Sequence, residues 1–262
     1  MYHIINLFDK PDLDIKDAID TLQIVNDELV FKDLQWAERK ADYDRYIIKK
    51  AKDAKFAKFE LNLGEKIQNG LMEGLWLKDQ EFTEEEIAYL NNESLLTAKP
   101  VIYLINFSKE IYMNESEKVQ KTCQEIQKWS EQYCKGQVIP FSSEYELEHS
   151  TDESSCAEKS IINHIINTGF YQLGLNQFFT AGVQECKAWP YRKGHKAPKA
   201  AGVIHGDLEK GFISVDVIKY DDFRQLGSEA AVIKAKKIQT QGKDYIIEDG
   251  DMLHFKCHAK KK

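Results

Sequence analysis

The chain has 262 residues, 42% of them hydrophobic and 11% aromatic, with only 5 Pro and 14 Gly. That is the composition of a globular protein, long enough for two domains, and it excludes disordered, collagen-like and membrane-spanning classes. No apolar run approaches the ~20 residues a membrane helix needs, no signal-peptide pattern opens the chain, and five cysteines without a C-x-x-C pair argue against a disulfide framework. A cytoplasmic location is therefore expected. The net charge of −7 conceals an asymmetry: residues 1–177 carry 20 Lys and Arg against 32 Asp and Glu, whereas residues 178–262 carry 16 against 11. Any contact with nucleic acid is expected in the basic C-terminal third, because phosphate neutralisation needs local positive charge.

In chain order, Tyr2 to Phe8 reads as a buried strand, closed by Asp9 and Pro11. From about Ile15 to Lys66 charged residues alternate with apolar ones at helical intervals (Ile15, Ala18, Leu22, Val25, Leu29, then Tyr43, Ile47, Ala51, Ala54), and no Pro or Gly interrupts before Gly64. A narrow apolar stripe at such charge density predicts two antiparallel helices projecting from a body. Thr83 with Glu86 is a capping box, so a short helix is expected there. Val101 to Phe107 has the continuous apolar character of a strand covered on both faces. A helix from about Ser116 to Tyr133 follows, with Val119, Cys123, Ile126 and Trp129/Ser130 inward, then a strand from Gln137 to Phe141, which together make a parallel α/β unit. Residues 157–176 read as a further helix.

After Phe178 the pattern shifts to short strands at 178–182, Cys186–Tyr191, Phe212–Ile218, Tyr245–Ile247 and Met252–Cys257, with helices near 200–210 and 229–239 and a turn at Asp249-Gly250. This is a small α+β module. Lys260 to Lys262 reads as a frayed tail.

Several chemistries are missing from the sequence. There is no G-x-x-x-x-G-K-[ST], no D-x-x-G, no H-E-x-x-H and no G-x-S-x-G. The single Gly-Lys pair, Gly242-Lys243, sits between an expected helix and strand, the wrong order for a phosphate loop. His254, Cys257 and His258 are better explained by strand alternation than by a metal, and no catalytic residue is assigned.

The C-terminal half resembles one family closely. The runs Gln177-Phe-Phe-Thr-Ala-Gly182, Lys187-Ala-Trp189, Arg192-Lys-Gly194, Lys196-Ala-Pro198, Glu209-Lys-Gly-Phe212, Lys219-Tyr220 and Tyr245-Ile-Ile-Glu-Asp-Gly-Asp251 are similar to the TGS domain of the Obg-like ATPases of the YchF type. Upstream, Thr97-Ala-Lys-Pro100 leading into Val101–Ser108 resembles the strand before that family's base-recognition motif, and Val138–Ser143 the loop that closes over the base. Tyr2-His-Ile and Asp27-Glu-Leu29 also fit.

The resemblance implies an α/β plus α+β protein. Its parts would be a partial parallel-sheet G domain of P-loop NTPase type over 1–14 and 98–177, an inserted helical hairpin over 15–97, and a β-grasp TGS domain over 178–262. It implies a base pocket at Asn106, Phe107, Ser108, Ser142 and Ser143. The family reads N-x-[SN]-E at the base; here Lys109 stands in the acidic position and Glu110 comes one place late. The resemblance also implies that the family's phosphate loop, first switch and D-x-x-G would lie before Met1. ATP would then be held weakly, with no magnesium site and no intrinsic hydrolysis. The strand-order rule for such sheets leaves Tyr2–Phe8 as a bare edge. Expected partners are the ribosome or ribosomal RNA, reached through the TGS domain and the helical hairpin, a separate phosphate-loop fragment, or a second copy through the bare edge, and no membrane. The alternative is the C-terminal part of a complete or two-piece ATP-hydrolysing member. For RNA contact the candidates are Lys187, Trp189, Arg192, Lys193, Lys196 and Lys199, with Tyr191 as a further stacking surface.

Overall fold

The computed structural model describes residues 1–8, 15–50, 54–149, 160–182 and 185–258. Asp9, Pro11, Ala51, Cys156 and the Lys260–Lys262 tail lie outside the described residues. The chain divides into two compact units, 1–165 and 166–262.

In the first unit, β1 (Tyr2–Asn6) leads to α1 (Ile15–Lys50), α2 (Lys55–Met72), α3 (Glu84–Leu90), β2 (Val101–Asn106), α4 (Lys109–Asn114), α5 (Ser116–Tyr133), β3 (Gly136–Phe141) and α6 (Ser143–His149). The strands form a parallel sheet of order β1-β2-β3. The apolar run of β2 is explained by its place at the centre: Val101 to Ile105 are all buried, one face on the cluster of Ile5, Leu7, Leu22, Trp76, Ile126 and Trp129, the other on Ile139, Phe141, Ile161 and Ile165. Gly136 is needed where β3 begins, because a Cβ there would lie 2.8 Å from the Val101 carbonyl. β1 is an edge strand, as the strand-order rule implies, but the reading of Tyr2 to Phe8 as buried needs correction: Ile5 and Leu7 are buried, whereas Tyr2 is 46% and Ile4 59% exposed because no strand among the described residues covers that side.

The 36-residue helix α1 packs on α2 through Ala37, Leu63, Ile67 and Leu71. Three ion pairs tie this stem: Lys40–Glu60 at 2.7 Å, Arg45–Glu65 at 3.1 Å and Lys66–Glu86 at 2.9 Å. Asp33, 3% exposed, accepts from the Leu96 and Thr97 amides and the Thr97 hydroxyl, fastening α1 to the segment that enters β2. The Thr83–Glu86 capping box is formed, with α3 following it.

α7 (Ile162–Gln172) answers the helix expected over 157–176, of which 157–159 lie outside the described residues; it stops short of 176, and Gly174, in the left-handed region at φ +66°, follows its end. The second unit continues with β4 (Leu175–Ala181), β5 (Cys186–Arg192), α8 (Ala197–Ile204), α9 (Gly206–Lys210), β6 (Phe212–Ile218), α10 (Tyr220–Leu226), α11 (Glu229–Lys234), β7 (Gln239–Gln241) and β8 (Met252–Cys257). Its mixed sheet has the order β5-β4-β8-β6-β7, with β4 and β8 parallel and the other neighbours antiparallel. Ala197, Ala200 and Ala201 of α8 let that helix sit close on Phe178, Tyr191, Val215, Val217 and Leu253.

Three expectations need correction in this unit, and one helix is added. The helix expected at 200–210 is two, because His205 is extended and its Nδ1 accepts from the Asp207 amide to cap α9. The helix expected at 229–239 stops at Lys234, since Lys236 takes a positive φ of 56°. Tyr245–Ile247 is not a strand: it makes one isolated bridge, Lys196 to Ile246, and its backbone bonds run to His195 and Ala197. α10 was not expected, although Asp221 and Asp222 in its first turn and a left-handed Gly227 at its end are ordinary helix signals.

Candidate functional site

In a parallel sheet, ligands are held beyond the carboxyl ends of the strands. Here those ends are level, with Asn6, Asn106 and Phe141 in register. Asn106 is the hub: its Nδ2 donates to Asn6 Oδ1 at 3.0 Å and its Oδ1 accepts from the Ser143 amide at 2.9 Å. Phe107, next along, turns into the core and is 2% exposed. Ser108 caps α4 by accepting from the Ile111 amide. Ser142 is fully covered and its Oγ accepts from the Tyr145 amide. Ser143 is exposed at the start of α6.

The structure therefore joins Asn106 to Ser143, leaves Ser143 exposed and Ser108 half-buried with its hydroxyl on α4, and puts Phe107 and Ser142 in the packing beneath. Lys109 is countered locally. Its amide donates to Glu144 Oε2 at 3.2 Å and its ammonium pairs with Glu148, whose hydrogen bond raises the Lys109 pKa. Asn6, Glu144 and Glu148 were not anticipated; only the parallel register brings Asn6 to Asn106. These groups can present hydroxyls to the edge of a heterocycle. Their one cation, Lys109, is already paired with Glu148, they include no glycine loop, and no cluster of three or more His, Cys, Asp or Glu suited to a metal occurs among the described residues.

The six basic and aromatic candidates of the second unit fall into separate settings. Lys187 and Trp189 share one face of the edge strand β5, with the Lys187 ammonium 4.1 Å from the Trp189 ring centre, and Trp189 is half-buried with its Nε1 donating to Thr180. Arg192, odd-numbered steps away, points to the opposite face, since side chains alternate along a strand. Lys193 is exposed in the turn after β5. Lys196 is 2.7 Å from Asp244 and Lys199 2.8 Å from Glu209, so both cations are already paired. Tyr191 is 1% exposed, donating to the Ile247 carbonyl, and burial pushes its hydroxyl up to about 12.

A second polar network, carried by no sequence motif, lies in the second unit. Asp251, 1% exposed, accepts from Lys219 Nζ at 2.7 Å, Tyr245 OH at 2.7 Å and the Glu248 amide at 3.0 Å. Burial alone would lower the Lys219 pKa, but bonds to Asp251, Tyr245 and Glu248 raise it instead. The order Lys219, Tyr245, Asp251 across two loops of a β module was the only available signal.

A parallel sheet with polar side chains gathered at its carboxyl ends, followed by a mixed-sheet module, defines a mixed α/β protein. Residues 175–258 match the family model YchF-GTPase_C, described as a protein of unknown function (DUF933). The chain is 38% identical to Obg-like ATPase 1 of Oryza sativa subsp. japonica and 37% identical to Obg-like ATPase 1 of Homo sapiens; each match spans 99% of this chain and 68% of the relative. The structure is similar to that of the Schizosaccharomyces pombe YchF GTPase, with a TM-score of 0.83 and 32% identity, covering 97% of this chain and 71% of that one. The chain belongs to the Obg-like ATPase family.

Among the described residues no helix is long and apolar enough to cross a membrane.

Proposed function

We propose that the protein is a translation-associated member of the Obg-like ATPase family, in which a G-type unit with an inserted hairpin is followed by a TGS module. In this reading these 262 residues bind ribosomal RNA and, taken by themselves, hold nucleotide weakly, by the base alone. Residues 1–14 and 98–177 form the G-type part, 15–97 the hairpin, and 178–262 the β-grasp. The observation that carries the proposal is whole-chain similarity to nucleotide-hydrolysing relatives combined with the lack of any G-x-x-x-x-G-K-[ST] or D-x-x-G in these 262 residues. Charge-assisted hydrogen bonds are worth roughly 1.5 to 3 kcal/mol each, so without several phosphate contacts a micromolar site falls to millimolar or weaker.

ATP or GTP is the ligand class. Ser108 and Ser143 would face the base, with Asn106 fixing the Ser143 loop rather than donating freely, since both ends of its amide are engaged. When bound with magnesium in a full site, such a nucleotide supplies a cleavable phosphoanhydride; nothing described here holds that end.

The basic balance of residues 178–262 supports RNA contact, with Lys187, Arg192 and Lys193 making no ion pair among the described residues. Sedimentation with purified ribosomes tests this reading. Co-sedimentation at 50 mM salt that falls steeply by 200 mM is expected, and Lys187→Glu with Lys193→Glu should reduce it. Salt-independent pelleting, or none, would refute it.

A second reading is favoured by the open edge of β1 and by the third of each relative's length that this chain does not match. Here a phosphate-gripping segment on another stretch of polypeptide completes the sheet beside β1. Hydrolysis that arises only when a phosphate-loop fragment is mixed with the chain would select it.

A further inference from the structure

The sequence from Arg39 to Lys58 carries eight basic residues and three acidic ones, although residues 1–177 as a whole are strongly acidic. This window spans the far end of the hairpin, where α1 finishes at Lys50 and α2 begins at Lys55. It holds three large aromatic side chains in solvent: Tyr43 at 59%, Tyr46 at 52% and Phe56 at 65% exposure. Scattered exposed aromatics need no explanation. These are not scattered.

Arg39, Tyr43, Tyr46 and Lys50 follow one another at intervals of four, three and four residues, which places them in a single stripe along α1. At 1.5 Å per residue the stripe is about 16 Å long. All four residues are exposed. The cations flank and cover the rings: Lys50 Nζ stands 4.2 Å from the Tyr46 ring centre and bonds its hydroxyl, and Lys40 Nζ stands 5.6 Å from that of Tyr43. The opposite side of α1 is already occupied, with Ala37, Ala41 and Asp44 buried and the Lys40–Glu60 and Arg45–Glu65 pairs holding α2. The stripe is the face the hairpin leaves uncovered, while Phe56 is braced on α2 by Phe59 and Tyr89.

We infer that the outer end of the hairpin is an RNA-binding surface, and that it takes unpaired nucleotides, with bases stacking on Tyr43 and Tyr46 and phosphates meeting Arg39, Lys49 and Lys50. Flat rings alternating with cations match a ligand that alternates bases with phosphates, and unpaired bases have the free faces that a duplex hides. An anionic bilayer would call for a broad apolar face of Leu, Phe or Trp, which a stripe of two tyrosines bounded by Asp42 does not supply. The inference rests on the translation-associated reading above but uses a different part of the molecule.

Fluorescence anisotropy of the full chain with a labelled twelve-nucleotide oligo(U) tests it, alongside a duplex of the same length and phosphatidylserine vesicles. Tyr43→Ala with Tyr46→Ala should weaken oligo(U) binding at least tenfold, whereas Tyr43→Phe with Tyr46→Phe, which keeps the rings and serves as the folding control, should stay within about twofold. Lys49→Glu with Lys50→Glu should weaken binding and flatten its salt dependence. The inference is overturned if the double alanine variant binds oligo(U) as the parent does, if duplex competes as well as oligo(U), or if vesicles bind and RNA does not. Loss of binding in Lys187→Glu with Lys193→Glu, with no change in the tyrosine variants, would sink the hairpin site while sparing the C-terminal one. Absence of RNA binding by the parent chain would refute both.

Discussion

Replacing Asp251 by alanine should open the second unit selectively. The carboxylate accepts three hydrogen bonds, from Lys219, Tyr245 and the Glu248 amide, at a position 1% exposed. Truncation leaves the Glu248 amide without its acceptor. Lys219 retains Glu248 at 3.0 Å and the Tyr245 hydroxyl at 2.9 Å. Because those contacts survive, the cost falls at the lower end of the ~3–5 kcal/mol for breaking a buried ion pair, about 3 kcal/mol. Asp251→Asn keeps the shape and one acceptor oxygen, enough for Tyr245 and the Glu248 amide. It loses the charge and the acceptor for Lys219, which retains Glu248 and the Tyr245 hydroxyl, and should cost about 1–2 kcal/mol. Native-state hydrogen exchange read on β6 and β8 isolates this unit from the other, which global unfolding would not. The expected result is a loss of protection of about a hundredfold in Asp251→Ala and about tenfold in Asp251→Asn, with β2 unchanged. Equal effects of the two substitutions, or protection within twofold of the parent in both, would refute the reasoning that charge and hydrogen bonding at Asp251 hold β8 in place.

Other outcomes follow from the same physics. Burial lowers the pKa of His3, so the folded state favours its neutral form; stability is present above the free imidazole value of about 6.5 and is lost as pH falls through the folded value, and His3→Phe should lessen this loss as pH falls below about 6.5 in urea titrations. The Asp44 carboxylate is wholly covered without a hydrogen-bond partner, 3.4 Å from the Lys40 ammonium, and burial raises its pKa; Asp44→Asn is expected to raise the thermal midpoint of the hairpin by circular dichroism, and a fall of several degrees would contradict this. Tyr245 is pushed up to about 12 by burial and Lys219 is raised by its bonds, so their stabilisation is complete below about pH 10 and disappears as pH climbs toward 12; exchange in β8 should quicken over that window more in the parent than in Asp251→Ala. Asn106→Ala should free the Ser143 amide and the Asn6 side chain, visible as faster exchange at Ser143 with β3 unaffected.

The elements that sequence made legible are those with a local cause. The unbroken apolar run of β2, the stripe of α1 and the Thr83–Glu86 box each state their own structure. The small sheet after α7 was readable as a class but not in detail, because Tyr245–Ile247 is tied down by residues fifty positions away and Lys236 bends the chain by a conformation that no residue type announces. At the candidate site, resemblance pointed to Asn106 and Ser143, which do meet at the strand ends. It could not show that the Asn106 amide is consumed by Asn6 and Ser143, since that depends on parallel register. The parity of Lys187 and Arg192 along β5 was visible in principle and separates them onto opposite faces. The basic window at the hairpin end was masked by averaging it into an acidic first two-thirds.

The central claim is that these residues can hold a base but cannot grip a triphosphate. Isothermal titration of the purified chain with adenosine, ATP and ATP with magnesium tests it most directly. Affinities for all three that are millimolar or weaker, alike within about threefold and accompanied by no phosphate release, are the expected result. Micromolar, magnesium-dependent binding of ATP would contradict it.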